Sequence, residues 1–173
     1  MRKLLLFSAI LLVSAGSIAW AHNLGKGYRR HKANAETFPS LHFLSIDSTT
    51  VLNTSGVLFG KSTLFIYYSP DCEHCQQLVE GVKENMRLLA NTNIYLISPM
   101  PIEELKAFYA TFHLYNYKNI TEGMDFKYEF FNYFQTISFP SVSIYDTKKR
   151  LVKLFRQPVK IEDILAAIHS IQP

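Results

Sequence analysis

The sequence LFIYYSPDCEHC, Leu64–Cys75, is the strongest indication of the fold. Its first five residues form an unbroken apolar and aromatic run, which predicts a fully buried β-strand. Apolar side chains then recur at helical spacing, which predicts an amphipathic helix over residues 72–90. The two cysteines, the only ones among the 173 residues, are therefore predicted at a strand-to-helix junction. One face of the predicted helix carries Leu78, Val79, Val82, Met86 and Leu89.

The spacing of Cys72 and Cys75 puts them one helical turn apart. Cys72 is predicted over the amino end of the helix, where free backbone N–H groups and the helix dipole favour a thiolate. A thiolate is the form of cysteine that attacks disulfides. The pattern therefore predicts thiol–disulfide chemistry, with Cys72 as the attacking sulfur and Cys75 as the sulfur that resolves the mixed disulfide.

Two other kinds of site also use cysteine pairs. An inert structural disulfide is one, but the loop that it would close is so short that the entropic stabilisation would be small. A metal site is the other, and zinc would need two further ligands, whereas the chain has no second C-x-x-C. His113 could supply a copper ligand, although such a histidine is more often a partly buried helix residue. We predict neither a metal nor a cofactor.

The amino end has the layout of a secretory signal peptide. Arg2–Lys3 supplies positive charge, Leu4–Val13 is a short apolar run, and Ala19–Ala21 is an A-x-A-type cleavage site. We expect residues 1–21 to be removed after export, and an uncleaved membrane anchor over residues 4–21 is the alternative. Export would place the cysteines in the periplasm or cell envelope, an oxidising compartment where disulfide exchange is routine.

Composition divides the rest of the chain into two parts. Residues 22–37 are polar and basic and contain two glycines, which predicts a flexible lead-in, whereas residues 38–173 have a globular pattern. Loss of Arg2 and Lys3 with the signal peptide lowers the formal net charge from +4 to +2. An excess this small gives no reason to expect nucleic-acid binding.

The globular part alternates strands and helices. The first buried strand, its helix and a second buried strand at Ile94–Ile97 are predicted to form a parallel β-α-β unit. A turn at Asp47–Thr50 joins two short apolar segments, which predicts a hairpin. The remaining predicted elements are an amphipathic helix over residues 102–112, strands at 142–145 and 151–155, and a last helix at Ile161–Ile171.

Aromatic residues are concentrated in one segment. Eleven of the chain's 24 lie between Phe108 and Phe134. Such density is typical of an insertion that packs its own layer against a sheet. The alternative is an exposed apolar surface that docks a client protein or a partner domain. The sequence leaves both interpretations open.

A β-α-β unit with C-x-x-C at its first helix, followed by a β-β-α unit, resembles the thioredoxin superfamily from Phe38 onward. The sequence SFPS, Ser138–Ser141, strengthens the resemblance, because in the family a cis-proline stands at this place beside the cysteines. The resemblance implies that Pro140 is cis and that Phe139 and Pro140 shape the substrate groove, although an ordinary strand-initiating proline would also fit. It implies an α/β fold, a thioredoxin-like three-layer α/β/α sandwich on a mixed central sheet. An N-terminal hairpin and a helical insertion before the cis-proline strand would complete it.

The hairpin, the insertion and the SPDC of Ser69–Cys72 are similar to the TlpA-like, or redoxin, branch of exported thiol–disulfide oxidoreductases. That branch implies a reductase that acts on protein disulfide or dithiol clients and receives electrons from a membrane donor. We expect the protein to be a monomer. His74 favours the opposite direction, because oxidising members of the superfamily also have a histidine before the second cysteine. Glu73 opposes the histidine, since like charge disfavours a thiolate. His74 could equally be an exposed helix residue without a role.

The chain departs from the family at one position. Thioredoxin has a buried carboxylate six residues before its first cysteine, and Ile66 stands there in this chain. Proton transfer during release of a mixed disulfide must then use Glu80, Glu73, water or another group. Two other functions stay open. Peroxide reduction is one, since Ser69 keeps the spacing of the peroxiredoxin T-x-x-C motif, and a non-catalytic binding module that uses the aromatic insertion is the other.

Overall fold

The computed structural model describes residues 36–171. The predicted signal peptide and all but the last two residues of the predicted lead-in lie outside the described residues. Within the described part, no helix is both long enough and apolar enough to cross a membrane. Its strands are β1 His42–Ser45, β2 Val51–Asn53, β3 Ser62–Tyr67, β4 Thr92–Ser98, β5 Ile120–Met124, β6 Ser141–Tyr145 and β7 Leu151–Phe155. Its α-helices are α1 Glu73–Glu84, α2 Ile102–Thr111, α3 Glu129–Phe134 and α4 Ile161–His169, and 3-10 helices span Thr54–Gly56 and Leu114–Asn116.

All seven strands belong to one sheet, in the order β2-β1-β5-β4-β3-β6-β7. The β3–β4 and β4–β5 pairs are parallel, and the other neighbours are antiparallel. The predicted mixed α/β sheet, the β1–β2 hairpin and the parallel β3-α1-β4 unit are therefore confirmed. Strand β3 lies inside the sheet, between β4 and β6, and the chain that follows it, including both cysteines, leaves at its carboxyl end.

The side chains of β3 alternate between two hydrophobic cores, as the two-residue period of a strand requires. Leu64 and Ile66 belong to the core that α1, α2 and α4 cover. Phe65 and Tyr67 belong to a second core on the opposite face, which α3 covers with Phe130 and Phe134. Helices on both faces of the sheet complete the predicted three-layer sandwich.

Helix α1 is shorter than the sequence predicts. It ends at Glu84, and Asn85 follows as its C-cap. The Asn85 side-chain amide donates a hydrogen bond to the Gly81 carbonyl at 2.9 Å, and such local side-chain bonds compete with helix continuation. Leu89 is nevertheless fully buried, so turns rather than a helix carry this apolar position into the core. The last helix also stops early, at His169 instead of Ile171.

Strand β5 is the element that sequence reasoning missed. It lies within the aromatic segment, for which the sequence left a packed insertion and an exposed surface open, yet it pairs with β1 and β4 inside the sheet. Its sequence, ITEGM, does not indicate a strand, because Glu and Gly are both uncommon in strands. Gly123 is required here, since a Cβ atom would lie 2.5 Å from the Leu44 carbonyl oxygen and 2.5 Å from Phe43 Cδ2.

The remainder of the aromatic segment does pack against the sheet. Helix α3 stacks Phe130 on Tyr67, with ring centroids 4.5 Å apart and planes within 7° of parallel. The buried Asp125 carboxylate fixes the start of this helix by accepting hydrogen bonds from the backbone amides of Glu129 and Phe130. The Thr37 carbonyl accepts from the Tyr145 hydroxyl at 3.2 Å, so the last residue of the predicted lead-in is already held against the domain.

Candidate functional site

Cys72 occupies the amino end of α1, as the sequence predicts. It is the N-cap residue, with extended backbone angles of φ −82° and ψ 112°. Its Sγ atom accepts a hydrogen bond from the Cys75 backbone amide at 3.3 Å, and its side chain is partly exposed. A helix N-terminus that donates to a sulfur stabilises negative charge on it. Cys72 is therefore reachable from solvent, and its sulfur lies at the end of the helix where backbone N–H groups donate.

Cys75 lies one turn further on and has no solvent-accessible surface. Its thiol is free, as is that of Cys72. Burial is the main cause of a strongly raised pKa of Cys75, and the hydrogen bond with Cys72 raises this pKa further. The two sulfurs therefore differ in kind, because one meets solvent at a helix end and the other is held as a neutral thiol in the core.

Phe139 and Pro140 lie beside the cysteines, although they are distant in sequence. The Phe139–Pro140 peptide bond is cis, as the resemblance implied. The Cys72 thiol donates a long hydrogen bond to the Phe139 carbonyl oxygen at 3.8 Å. Pro140 is buried and directly precedes β6, which pairs with β3. The sheet thus brings together the two sequence motifs that carried the resemblance.

The polar residues of the motif lie on the surface of the first helical turn. Glu73 is exposed and accepts a hydrogen bond from the Gln77 side chain at 3.1 Å. His74 is exposed and borders a surface groove of about 430 Å³ together with Pro158 and Val159. Both side chains are exposed, so solvent and salt screen any charge effect that they have on the cysteines.

The remaining residues that the sequence suggested for the site, His113 and Glu80, are both exposed. His113 is exposed just beyond α2, rather than partly buried within a helix, and its Nδ1 lies 2.9 Å from the Tyr115 hydroxyl. Within residues 36–171, no three or more His, Cys, Asp or Glu side chains are grouped so as to hold a metal ion. Glu80 is an exposed helix residue that accepts hydrogen bonds from Lys83 at 2.8 and 2.9 Å.

A buried carboxyl group beneath the site was missed by sequence reasoning. Glu122, on β5, is only 3% exposed. It accepts a hydrogen bond from the hydroxyl of Tyr68, the fully buried residue that ends the apolar run before the cysteines. Burial raises the pKa of Glu122 to about 8. No signal in the sequence marks this residue, because its burial depends on the unpredicted insertion of β5 between β1 and β4.

An apolar groove of about 530 Å³ opens beside Phe139. Tyr67, Tyr128, Phe131 and Ile137 are among its lining residues. Ile137 is 80% exposed, and Tyr128 is more than half exposed. Part of the aromatic segment therefore lies in the core, and part of it is exposed beside this groove.

Comparison with known proteins establishes the fold. No protein-family profile and no curated protein sequence matches the chain. Among solved structures, a thioredoxin-like protein from Aeropyrum pernix is 14% identical, with a TM-score of 0.62 over 76% of this chain and 89% of that one. A secreted Mycobacterium tuberculosis disulfide oxidoreductase homologous to E. coli DsbE is 11% identical, with a TM-score of 0.63 over 76% of this chain and 96% of that one.

A third similar structure is peroxidoxin BcpB of Mycobacterium tuberculosis, at 11% identity and a TM-score of 0.65, over 80% of this chain and 99% of that one. The chain thus has a thioredoxin-like fold, with DsbE-like and peroxidoxin structures among its neighbours. The fold resemblance that the sequence motifs indicated is confirmed.

Proposed function

We propose that this thioredoxin-fold protein is a thiol–disulfide oxidoreductase that exchanges electrons with protein disulfides through Cys72 and Cys75. One observation carries the proposal: a partly exposed Cys72 sulfur caps a helix and a fully buried Cys75 thiol lies one turn behind it. An inert disulfide does not need this difference in access between its two sulfurs. A two-step exchange does need it, because one sulfur must be accessible to the substrate and the other must react only after the mixed disulfide has formed.

In the reducing direction, the Cys72 thiolate attacks one sulfur of the substrate disulfide. A Cys72–substrate disulfide forms, and the other substrate sulfur leaves as a thiolate. Cys75 then loses its proton and attacks Cys72 Sγ, which releases the second substrate thiolate. Two electrons have passed to the substrate, and the protein is left with a Cys72–Cys75 disulfide.

The substrate backbone is proposed to lie along Phe139 and Pro140. The contact of the Cys72 thiol with the Phe139 carbonyl supports this position, because a bound segment there would pass directly over the attacking sulfur. The apolar groove beside Phe139 would receive a hydrophobic side chain near the client's disulfide. His74 and Glu73, at the surface of the same turn, would contact the rim of such a client.

The direction and location of the exchange are part of the proposal. The resemblance to TlpA-like proteins supports a reductase that receives electrons from a membrane donor. The signal-peptide layout of residues 1–21 supports export to the periplasm or cell envelope. Peroxide reduction is less well supported. The Ser69 hydroxyl, at the position of the peroxiredoxin threonine, already donates its hydrogen bond to the Asp71 carboxylate, so it does not point freely towards a substrate.

The proposal is tested by reduction of insulin disulfides with dithiothreitol as electron donor. We expect wild-type protein to accelerate the reaction and the Cys72→Ser variant to be inactive. The matched control is Ser170→Ala, which changes an exposed hydroxyl at the end of α4. Undiminished insulin reduction by Cys72→Ser, or wild-type turnover of hydrogen peroxide but not of insulin, would overturn the assignment.

A further inference from the structure

The end of the sheet opposite the cysteines carries exposed apolar side chains beside a basic turn. Leu58 and Phe59 lie in the loop before β3 and are 82% and 70% exposed. The Gly60 backbone amide donates a hydrogen bond to the Thr147 carbonyl at 3.0 Å, which holds this loop against the turn between β6 and β7. Single exposed apolar residues are ordinary, but two adjacent large ones beside a basic turn mark an interaction surface.

Three lysines lie next to these apolar residues. Lys61 and Lys148 are exposed, and Lys149 is half-buried. None of the three forms an ion pair within residues 36–171. The acidic residue of the turn, Asp146, is buried and accepts a hydrogen bond from Arg150 at 2.7 Å, so it leaves the lysines uncompensated. The basic end of the domain is defined by five residues: Leu58, Phe59, Lys61, Lys148 and Lys149.

The cysteine end of the domain has acidic helix starts. Strands β3, β4, β5 and β7 run in one direction, and an α-helix begins after the carboxyl end of each. The acidic residues in the first turns of these four helices are Glu73, Glu103, Glu104, Glu129, Glu162 and Asp163. Strand β3 alone spans six residues, which at about 3.3 Å per residue separates the two ends by roughly 20 Å. A negatively charged surface therefore attracts one end of the domain and repels these acidic turns at the other.

The preceding part of the chain joins the domain beside the basic end. The Lys149 ammonium lies 4.9 Å from the ring centroids of both Phe59 and Phe38, and Phe38 is among the first described residues. Residues 26–32, KGYRRHK, are strongly basic, and residues 4–21 are the predicted signal peptide or anchor. Whether or not the apolar segment is removed, the basic segment is therefore connected to the domain next to its lysines.

We propose that the basic end docks on a bilayer that contains anionic phospholipids. The lysine ammonium groups meet lipid phosphates, and Leu58 and Phe59 enter the boundary between headgroups and acyl chains. A nucleic acid also offers phosphates, but it has no apolar layer to receive these two side chains. The bilayer has both, and it complements the basic segment that precedes the domain.

Docking in this orientation turns the cysteines away from the bilayer. Cys72 follows the carboxyl end of β3, whereas the basic end lies at its amino end. A protein client therefore reaches Cys72 from the aqueous side while the domain is held at the membrane surface. The inference goes beyond the proposed function, because it concerns where the domain is held and not the chemistry of the sulfurs.

The test is quenching of a single tryptophan by lipids with brominated acyl chains. The full chain carries Trp20→Phe, which removes the only native tryptophan, and Phe59→Trp, which puts one at the basic end. The phosphatidylcholine vesicles contain either about 30 mol% phosphatidylglycerol or none. We expect anionic vesicles to quench the fluorescence at residue 59 at least about twofold, and neutral vesicles to leave it nearly unchanged.

Ile137→Trp in the same background is the matched control for orientation. Position 137 is 80% exposed but lies beside Phe139 at the cysteine end, so its fluorescence should not be quenched. Charge reversal by Lys148→Glu and Lys149→Glu together should abolish the quenching at residue 59, since each basic residue strengthens binding to an anionic surface roughly fivefold.

The control for that pair is Lys127→Glu with Lys160→Glu, which makes the same change in net charge at the cysteine end and should preserve the quenching. The inference fails if anionic vesicles do not quench Phe59→Trp, if residues 59 and 137 are quenched equally, or if both charge reversals act alike. Should Phe59→Trp not fold, Leu58→Trp takes its place. Cys72→Ser should leave the quenching unchanged, so failure of the disulfide exchange and failure of the docking are distinguished.

Discussion

The backbone amide of Cys75 donates a hydrogen bond to the Sγ atom of Cys72, with 3.3 Å between nitrogen and sulfur. The residue proposed to resolve the exchange therefore also hydrogen-bonds, through its backbone, the sulfur proposed to attack. The Cys75 side chain lies in the core and has no accessible surface. One helical turn thus holds one partly exposed sulfur and one buried sulfur.

Alkylation should distinguish the two sulfurs. Iodoacetamide added to the reduced native protein at neutral pH is expected to modify Cys72 at least about tenfold faster than Cys75, because Cys72 is partly exposed at the amino end of α1 whereas Cys75 is fully buried. Mass spectrometry of the proteolysed protein measures both rates. The urea-unfolded chain is the control, in which both cysteines should react at similar rates. Equal rates in the native protein would contradict the described asymmetry.

The groove beside Phe139 should affect binding of clients rather than the chemistry. Ile137→Asp puts a charge on this apolar surface, so we expect the KM for a disulfide-linked client peptide with aromatic side chains to rise several-fold, a cost of about 1 kcal/mol. Reaction with the small disulfide 5,5′-dithiobis(2-nitrobenzoate) should not change.

Leu58→Asp is the control for that experiment. Leu58 is 82% exposed, against 80% for Ile137, and it precedes β3, whereas the cysteines follow the other end of that strand. An equal rise in KM for both variants, or none for Ile137→Asp, would remove the groove from the client site.

Glu122 should make stability depend on pH. Its folded-state pKa of about 8 lies above the ordinary value of about 4.3, so between these values the folded protein holds a proton that the unfolded chain has lost. Raising the pH therefore favours unfolding, by about 1.4 kcal/mol per pH unit within this window, and the effect levels off above it.

The measurement is the difference in unfolding free energy between wild type and Glu122→Gln in urea, at several pH values. The variant should gain stability over wild type as the pH rises towards 8. Glu80→Gln, at an exposed carboxylate, should show no such trend. A pH-independent difference for Glu122→Gln would mean that the carboxyl is ionised throughout.

Strand β5 offers a test of the sheet order. Gly123→Ala would place a methyl group 2.5 Å from the Leu44 carbonyl oxygen, so we expect β1 to shift and stability to fall by about 2 kcal/mol or more. Gly56→Ala is the control, because its Cβ would meet nothing within 4 Å, and it should change stability by less than about 0.5 kcal/mol. Urea unfolding measures both. Equal effects would argue against the close approach of β1 to β5.

The elements that the sequence could predict are those whose signal is local. The apolar run before Cys72 and the helical spacing after it are local signals, and the strand and the start of α1 were located within about two residues of their observed bounds. The end of α1 was placed too late, because Leu89 has helical spacing but reaches the core through turns. The side-chain hydrogen bond with which Asn85 caps the helix leaves no trace in the hydrophobic periodicity from which the helix was predicted.

The feature that could not be predicted depends on contacts between distant segments. Glu122 and Gly123 suggest a polar loop, yet Gly123 is needed because β1 passes so close, and Glu122 is buried because α2 and Tyr68 cover it. Only the pairing of β5 with β1 and β4 creates both conditions. The candidate site was therefore predicted at its sulfurs and at Pro140, and was missed at its buried carboxyl group.

The most direct test of the account is to map the mixed disulfide trapped by Cys75→Ser. Without its resolving sulfur, this variant should remain bonded to client proteins, and mass spectrometry of the linked peptides should find the bond at Cys72. Cys72→Ser should trap nothing, because the remaining thiol is buried. Trapping through Cys75 in the Cys72→Ser variant, or no mixed disulfide with Cys75→Ser, would contradict the central claim.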